Sequence, residues 1–332
     1  MSGTRAGVAA SPAGSRNDAH SMSHPHHDHD HPDIPPPTVE EVRNGIHAYV
    51  QLDGSWGLNN SGFLVGRDGT TLIDTCFTEQ RTRALLATVL SISDRPIRTL
   101  VNTHHHGDHT HGNYLLPGAT IIGHDRCRDE VLSSGHIAQA LFPGVDWGTL
   151  EVAAPFVTFD EHLTVWVDDR RMELRFVGPA HTTNDVVGWI PDERVLFAGD
   201  LVFNGGTPFV VMGSVSGTLA ALDRLRALDP VTIVPGHGPV CGPEALEVQT
   251  AYLQFVQATA RRGFEAGTPP LDLALATDLG PFAGLHDRER LVGNLYRAYS
   301  ELRGEPLGTP IDVQAYADMI TFNGGQPLRC LA

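Results

Sequence analysis

Four residues in the stretch T-H-H-H-G-D-H (His104, His106, Asp108 and His109) lie close enough in the chain to share one tight loop. Imidazole nitrogen and carboxylate oxygen are borderline-to-hard donors that suit Zn²⁺ and also Fe or Mn. His104 and His106 stand two apart, so both can reach one side and grip one ion, while Asp108 and His109 point toward a second. Gly107 permits the tight backbone between them. Three more candidate ligands fall where strands are expected to end: His181 after F-V-G-P-A, Asp200 closing V-L-F-A-G-D, and His237 in I-V-P-G-H-G. A buried strand that stops at Gly-Asp or Gly-His-Gly aims a ligand into a site from a rigid scaffold. Any one of these histidines alone is more often a satisfied core residue; seven such residues in this order and spacing read as a two-metal site. His105 and His111 fall off the motif and are expected to back the ligands or to meet solvent.

The elements that must hold this loop follow from periodicity. Residues 45–52 alternate as a strand, and S-G-F-L-V-G with D-G-T-T-L-I-D reads as a hairpin around a D-G turn. Residues 79–93 form a helix with Leu85, Leu86, Val89 and Leu90 on one face, ended by Pro96. A short buried strand over 97–102 then delivers the histidine loop. Strands are read over 156–167, 171–177, 186–190 and 195–198, the last two separated by a P-D-E turn. A helix over 218–228 and a strand over 231–234 follow, and from Pro243 the chain is helical, at 243–262, 287–303 and 311–320. Strands then a helix, twice, followed by helices, predicts a four-layer α/β/β/α sandwich of two similar halves with a helical C-terminal region.

Composition narrows the chemistry. The chain has 332 residues, 41% of them apolar, which is ample for a core. A formal charge of −16 opposes a nucleic-acid partner. All 23 basic residues are arginine, so no lysine Schiff base can form, and carbonyl chemistry must run on metal or on acid–base groups. Cys76, Cys127, Cys241 and Cys330 stand far apart and fit neither a disulfide framework nor a zinc ribbon, as expected of reduced thiols in a cytoplasmic protein. There is no apolar run of membrane-spanning length and no secretory signal is read. Residues 1–37 read as a disordered tail, and 38–332 as the catalytic domain, with C-terminal helices from about 243. The tail carries His20, His24, His26, His27, His29 and His31, which can hold divalent metal loosely or have no role.

The ligand set resembles that of the metallo-β-lactamase superfamily, over nearly all of residues 39–332. The resemblance implies that His104, His106 and His181 hold one ion, that Asp108, His109 and His237 hold a second, and that Asp200 bridges both. Two zinc ions per chain are expected, with Fe or Mn possible. Asp108 is then also the expected catalytic group, orienting a metal-bound hydroxide, and Asp74 matches an aspartate that braces the histidine loop. Superfamily enzymes that open β-lactams mostly lack the bridging aspartate and are exported. Asp200 and the missing export signal therefore point to thioesterase or lactonase relatives. One motif departs from the common G-H-T: here it is A-H-T-T-N-D, with Ala180, which could turn Asn184 or Asp185 toward substrate.

Other stretches resemble a smaller group. They are T-P-F-V-V-M-G-S-V-S-G-T-L-A-A-L-D-R-L, D-L-G-P-F-A-G-L-H-D-R-E-R-L-V-G-N-L-Y-R-A, the terminal F-N-G-G-Q-P-L-R-C-L-A, and V-D-W-G at Trp147. Together they are similar to the metallo-β-lactamase-fold second-ring cyclases of bacterial aromatic (type II) polyketide pathways. That likeness implies a polyketide tethered by a thioester to an acyl carrier protein, an aldol ring closure with loss of water, and thioester hydrolysis. A two-metal site can polarise a carbonyl, stabilise an enolate and activate water. A general thioester or lactone hydrolase would use the same ligands. A mono-iron persulfide-type dioxygenase shares the fold, and a metal buffer built on the His-rich tail is the non-enzymatic reading. Docking an acidic carrier on this acidic chain calls for a basic patch, from Arg170, Arg171 and Arg175, from Arg261 with Arg262, or from Arg288 with Arg290. The helices after Pro243 are expected to roof the pocket, with Phe282, Leu285, Leu291, Leu295 and Tyr296 as apolar surface.

Overall fold

The computed structural model describes residues 36–51 and 53–332. The tail read over residues 1–37 lies almost wholly outside the described residues, as does Leu52. Strands β1 (Thr38–Arg43), β2 (Ile46–Val50), β3 (Ser61–Val65) and β4 (Thr70–Ile73) pair antiparallel in chain order. Helix α1 (Glu79–Ile92) opens on Thr78, whose side chain accepts from the Arg81 N–H, and returns the chain to β5 (Ile97–Val101), parallel to β4. The short α2 (Gly107–Thr110) lies in the histidine loop. β6 (Thr120–His124), α3 (Asp125–Ser134) and β7 (Val157–Phe159) complete a seven-stranded sheet.

The second sheet is built from β8 (His162–Val167), β9 (Arg170–Phe176), β10 (Val186–Ile190) and β11 (Val195–Phe203), all antiparallel. Helix α4 (Val215–Ala227) then brings β12 (Thr232–His237) parallel to β11. The C-terminal region is α5 (Glu244–Ala266), α6 (Pro270–Ala276), α7 (Arg290–Leu302) and α8 (Gln314–Phe322). No helix among the described residues is long and apolar enough to cross a membrane.

Side chains alternate across each strand, so a strand covered on both faces feeds two cores. Ile46, Val50, Leu64, Ile73 and Val101 of the first sheet meet Met172, Leu174, Val186, Phe197 and Val234 of the second, making the central layer. Tyr49, Phe63, Leu72 and Leu100 face outward and pack on Leu85 and Val89 of α1. Val187, Trp189 and Leu196 face the other way, into a core that holds Leu222 and Leu225 of α4, Leu246 and Leu253 of α5, and Leu291 and Leu295 of α7. The result is the expected four-layer sandwich with a helical C-terminal region.

Three expectations change in detail, and some elements, α3 among them, go beyond those expected. Residues 156–167 are two strands in different sheets, β7 and β8. Phe159 and Val165 both pack into the core between the sheets, so apolarity does not mark the crossing. Leu90 is 59% exposed, so the buried stripe of α1 is narrower than read. β11 runs on past Ala198 to Phe203, carrying Asp200 inside the strand. Helix α3 was not read, because Cys127 and Val131 are its buried residues and the rest of it is polar or exposed.

Candidate metal centre

The histidine loop is clamped at its root by groups from two segments, the ends of β4 and β5. Asp74, at the end of β4, accepts from the Thr103 N–H (2.8 Å) and hydroxyl (2.7 Å), and its Oδ2 meets His109 Nδ1 at 2.8 Å. The His109 carbonyl accepts from Asn102 Nδ2 (3.1 Å) and the Thr75 hydroxyl (3.1 Å). Gly107 serves a close approach: a Cβ there would come within 2.4 Å of the His111 ring. Asp200 on β11 is crowded in the same way by β12. A Cβ on Gly236 would stand 1.9 Å from Asp200 Oδ1.

These supports bring all seven candidate ligands together. His104, His106, His181 and Asp200 form one group, and Asp108, His109 and His237 another. Within each group the ligand atoms lie within 4.8 Å of one another. His106 Nδ1 and His181 Nε2 are 2.9 Å apart. Asp200 stands between the groups, with Oδ2 3.3 Å from both His181 Nε2 and His237 Nε2, and Oδ1 3.0 Å from His109 Nε2. His237 Nε2 also lies 3.3 Å from Asp108 Oδ2. The rings are oriented from behind. His104 Nδ1 meets the Thr103 hydroxyl at 3.0 Å, His106 Nε2 meets Met212 Sδ at 3.2 Å, and His181 Nδ1 meets the Phe209 carbonyl.

The charges of the two groups differ. Burial, and then His109 and His181 respectively, hold His104 and His106 well below the ordinary histidine value, which leaves neutral imidazoles with free lone pairs. Burial also pulls on His109, but Asp200, Asp74 and Asp108 outweigh it and carry the ring well above that value. His237 is likewise pushed up to about 9, with Asp200 and Asp108 overcoming burial. Burial would raise Asp200, yet His237, His109 and His181 hold it well below the carboxylate range. Buried carboxylates here demand positive charge. The buried His104 Nε2 has no hydrogen-bond partner, and His109 Nε2 and Asp200 Oδ1 lie 3.0 Å apart but out of line for a hydrogen bond. Unpartnered nitrogen and oxygen donors converging beside concentrated negative charge fit divalent cations.

The centre opens on a cavity of about 460 Å³. His106, Asp108, His181, Asp200 and His237 lie along it, and Trp56, Phe77, Phe142, Phe203, Phe209 and Tyr316 supply aromatic wall. Trp147 meets Phe77 edge-on at 4.6 Å from behind. Sequence reasoning missed this wall, since its residues come from separate loops and elements with no shared period.

Several expected positions stand elsewhere. His105 and His111 are buried and line the cavity, rather than meeting solvent. Asp185 spends its carboxylate on Thr182 N–H (2.9 Å), Thr182 hydroxyl (2.7 Å) and Ala180 N–H (3.1 Å), shaping the His181 loop. Asn184 donates to His105 Nδ1 at 2.9 Å, and neither Asn184 nor Asp185 lines the cavity. Leu291 and Leu295 are core residues, and the C-terminal part of the wall is Arg290, Val313 and Tyr316. Of the arginine clusters, Arg170 pairs with Glu193, and Arg171 and Arg175 with Glu173. Arg290 is buried against Asp287. Arg261, Arg262 and Arg288 are exposed, with no ion pair among the described residues.

A model of the metallo-beta-lactamase superfamily matches residues 54–237, more than half of the chain. The chain is 23% identical to the metallo-beta-lactamase type 2 of Bacteroides fragilis, covering 68% of this chain and 88% of that protein. It is 30% identical to a hydroxyacylglutathione hydrolase of Methylococcus capsulatus, over 41% of this chain and 45% of that protein, so it spans less than half of that relative. Among solved structures, a metallo-beta-lactamase from Pontibacter korlensis superposes with a TM-score of 0.54 at 22% identity, covering 66% of this chain and 99% of that one, a likeness of fold.

Proposed function

The chain belongs to the metallo-beta-lactamase superfamily, and from that premise we propose that it is a metal-dependent cyclase and thioesterase for an aromatic polyketide held on an acyl carrier protein. The observation that carries the reading is the cavity. Its volume of about 460 Å³ suits a small multi-ring molecule, and aromatic rings stand along its wall together with aliphatic side chains such as Ile137, Leu141 and Met212. Flat rings stack on such walls.

His104, His106 and His181 would hold one ion, Asp108, His109 and His237 the other, with Asp200 between them. Zinc suits this donor set, as do iron and manganese. Such ions supply Lewis acidity to a carbonyl and to water. The chain's own residues do the rest. The aromatic wall excludes bulk water and holds the acyl chain in one plane. Asp108 lines the cavity with its side chain 15% exposed, against 4% for Asp200, so it is the more accessible of the two carboxylates there. Burial would raise this carboxyl, yet His109 and His237 hold it below the ordinary carboxylate range, so it stays ionised. Its Oδ2 can orient the water that takes a proton from the carbon beside a ketone. The carbanion carbon bonds to a second carbonyl carbon and closes the ring. The new alkoxide regains the proton, and loss of that hydroxyl with a second proton from the same α-carbon releases one water and leaves a C=C bond. In hydrolysis the same oxygen orients the attacking water, which bonds to the acyl carbon; the acyl–sulfur bond breaks, and the carrier thiol leaves with one of the water's protons.

The carrier is the proposed partner. With the chain at −16, an acidic carrier needs a local basic patch, and Arg261 with Arg262 on α5 remain exposed for it. A general thioester hydrolase is the second reading, favoured by the local likeness to a hydroxyacylglutathione hydrolase. Incubation with a thioester-bound aromatic polyketide, followed by mass analysis, separates the two. Loss of one water together with release of the acid supports the cyclase. Release with no loss of water leaves only the hydrolase, and no turnover overturns both.

A further inference from the structure

Helix α7 carries two buried arginines, and they are used differently. Arg297 is 0% exposed and spends its guanidinium on the chain. Its Nε and Nη2 donate to the Val211 carbonyl at 3.1 and 2.6 Å, and Nη2 also to the Thr309 carbonyl at 2.6 Å. It is a structural clamp and lies outside the cavity wall. Arg290 is 1% exposed, yet it lines the cavity beside His237 and Asp200. Nη1 donates to the Thr207 carbonyl at 3.0 Å and Nη2 pairs with Asp287 at 2.8 Å. Its Nε–H, buried, has no partner.

A guanidinium has five N–H donors on three nitrogens, and leaving a buried nitrogen with no acceptor at all is costly. A buried ion pair is a weak reason on its own to keep an arginine there, since an apolar residue of similar volume often stabilises as well. The surroundings indicate what the spare donor is for. The Trp56 ring lies 4.0 Å from the guanidinium carbon, and the Phe203 ring 5.2 Å from it. Phe203 in turn stacks on the His237 ring, with centroids 5.1 Å apart and planes at 10°. A flat donor is thus set among aromatic rings, joined through a single ring to the metal-binding group. Asp287 is at its side, and Glu289 accepts from Trp56 Nε1 at 2.7 Å. These carboxylates already balance the arginine's charge, so the site suits a carbonyl or phenolic oxygen better than a carboxylate.

We propose that Arg290 is a specificity-determining residue that donates its free Nε–H to a ring oxygen of a planar, oxygenated aromatic substrate. The inference rests on the proposed thioesterase reading for its kinetic arm but not for its binding arm. The kinetic probes are the N-acetylcysteamine thioesters of a polyhydroxylated naphthoate and of the plain naphthoate. In Arg290→Met, the ratio of kcat/KM for the hydroxylated over the plain thioester is expected to fall about 10- to 100-fold, carried by KM. Arg290→Lys, which keeps a cation for Asp287, recovers part of the ratio and controls for folding. Arg297→Met, a matched structural change, lowers the melting temperature and leaves the ratio as it was. An unchanged ratio in Arg290→Met and Arg290→Lys overturns the proposal, as does a fall in Arg297→Met equal to that in Arg290→Met. If the wild type cleaves neither thioester, the thioesterase reading fails, and the free hydroxylated and plain naphthoic acids are titrated instead by quenching of Trp56 fluorescence, with Trp56→Phe as the blank. A tighter Kd for the hydroxylated acid that is lost in Arg290→Met upholds the inference; equal binding of the two acids by the wild type overturns it.

Discussion

Asp200 and Tyr316 line the same cavity but are held in different ways. Asp200 sits inside β11, its carboxylate between three histidine rings, with Gly236 of β12 pressed so close that no side chain fits there. Tyr316 belongs to α8, in the helical region beyond the stretch that matches the superfamily model. The strands fix donor atoms to fractions of an ångström, as a metal centre needs. The helices contribute side chains that can be exchanged without touching a ligand. The difference assigns chemistry to the sandwich and selection to the C-terminal helices.

The comparison breaks first at its rigid end. Asp200→Ala is expected to reduce occupancy of both ions and to lower turnover by about 10²-fold or more, because its carboxylate lies within 3.3 Å of histidines from both groups. Metal analysis beside steady-state kinetics reads both effects; full activity would remove the bridging role. Gly236→Ala alters no ligand, yet its Cβ would stand 1.9 Å from Asp200 Oδ1. Displacement of that carboxylate should cost about 10- to 100-fold in turnover or metal affinity. A variant with wild-type kinetics would show that the strands are softer than argued.

At the other end, Tyr316→Ala should shift the preference between large and small aromatic thioesters by about tenfold or less, at constant metal content. A loss of metal in that variant would dissolve the division between the two regions. The smallest effect is expected from removing residues 1–37, rich in Gly, Ser, Pro and His with few large apolar residues. Turnover should be unchanged, and only weak binding of extra zinc should fall; a large loss of activity would bring the tail into the site.

The same division governs what could be read in advance. The convergence of the candidate donors was legible because few residue types can bind a metal and the histidine loop compresses four of them into six residues. The layers were legible because Ile46, Ala48 and Val50 alternate with His47 and Tyr49 around a pleated strand. The cavity wall was not. Trp56, Phe142, Phe209 and Tyr316 are apolar residues among many, and only the folded chain shows which of them face the site. Arg290 looked like surface charge beside Arg288, because nothing local in D-R-E-R marks one arginine as exposed and the other as buried. Asp185, one of two residues that could turn toward substrate, is a loop anchor, its carboxylate taken by two backbone N–H groups and the Thr182 hydroxyl, which the sequence does not distinguish.

The most direct test of the account is the metal content of the purified wild-type chain, with zinc, iron and manganese measured together and compared with activity as a chelator removes them. Two ions per chain, mainly zinc, lost together with activity and restored by added zinc, is the expected result. A single ion per chain at full activity, or activity that survives complete removal of metal, would contradict it.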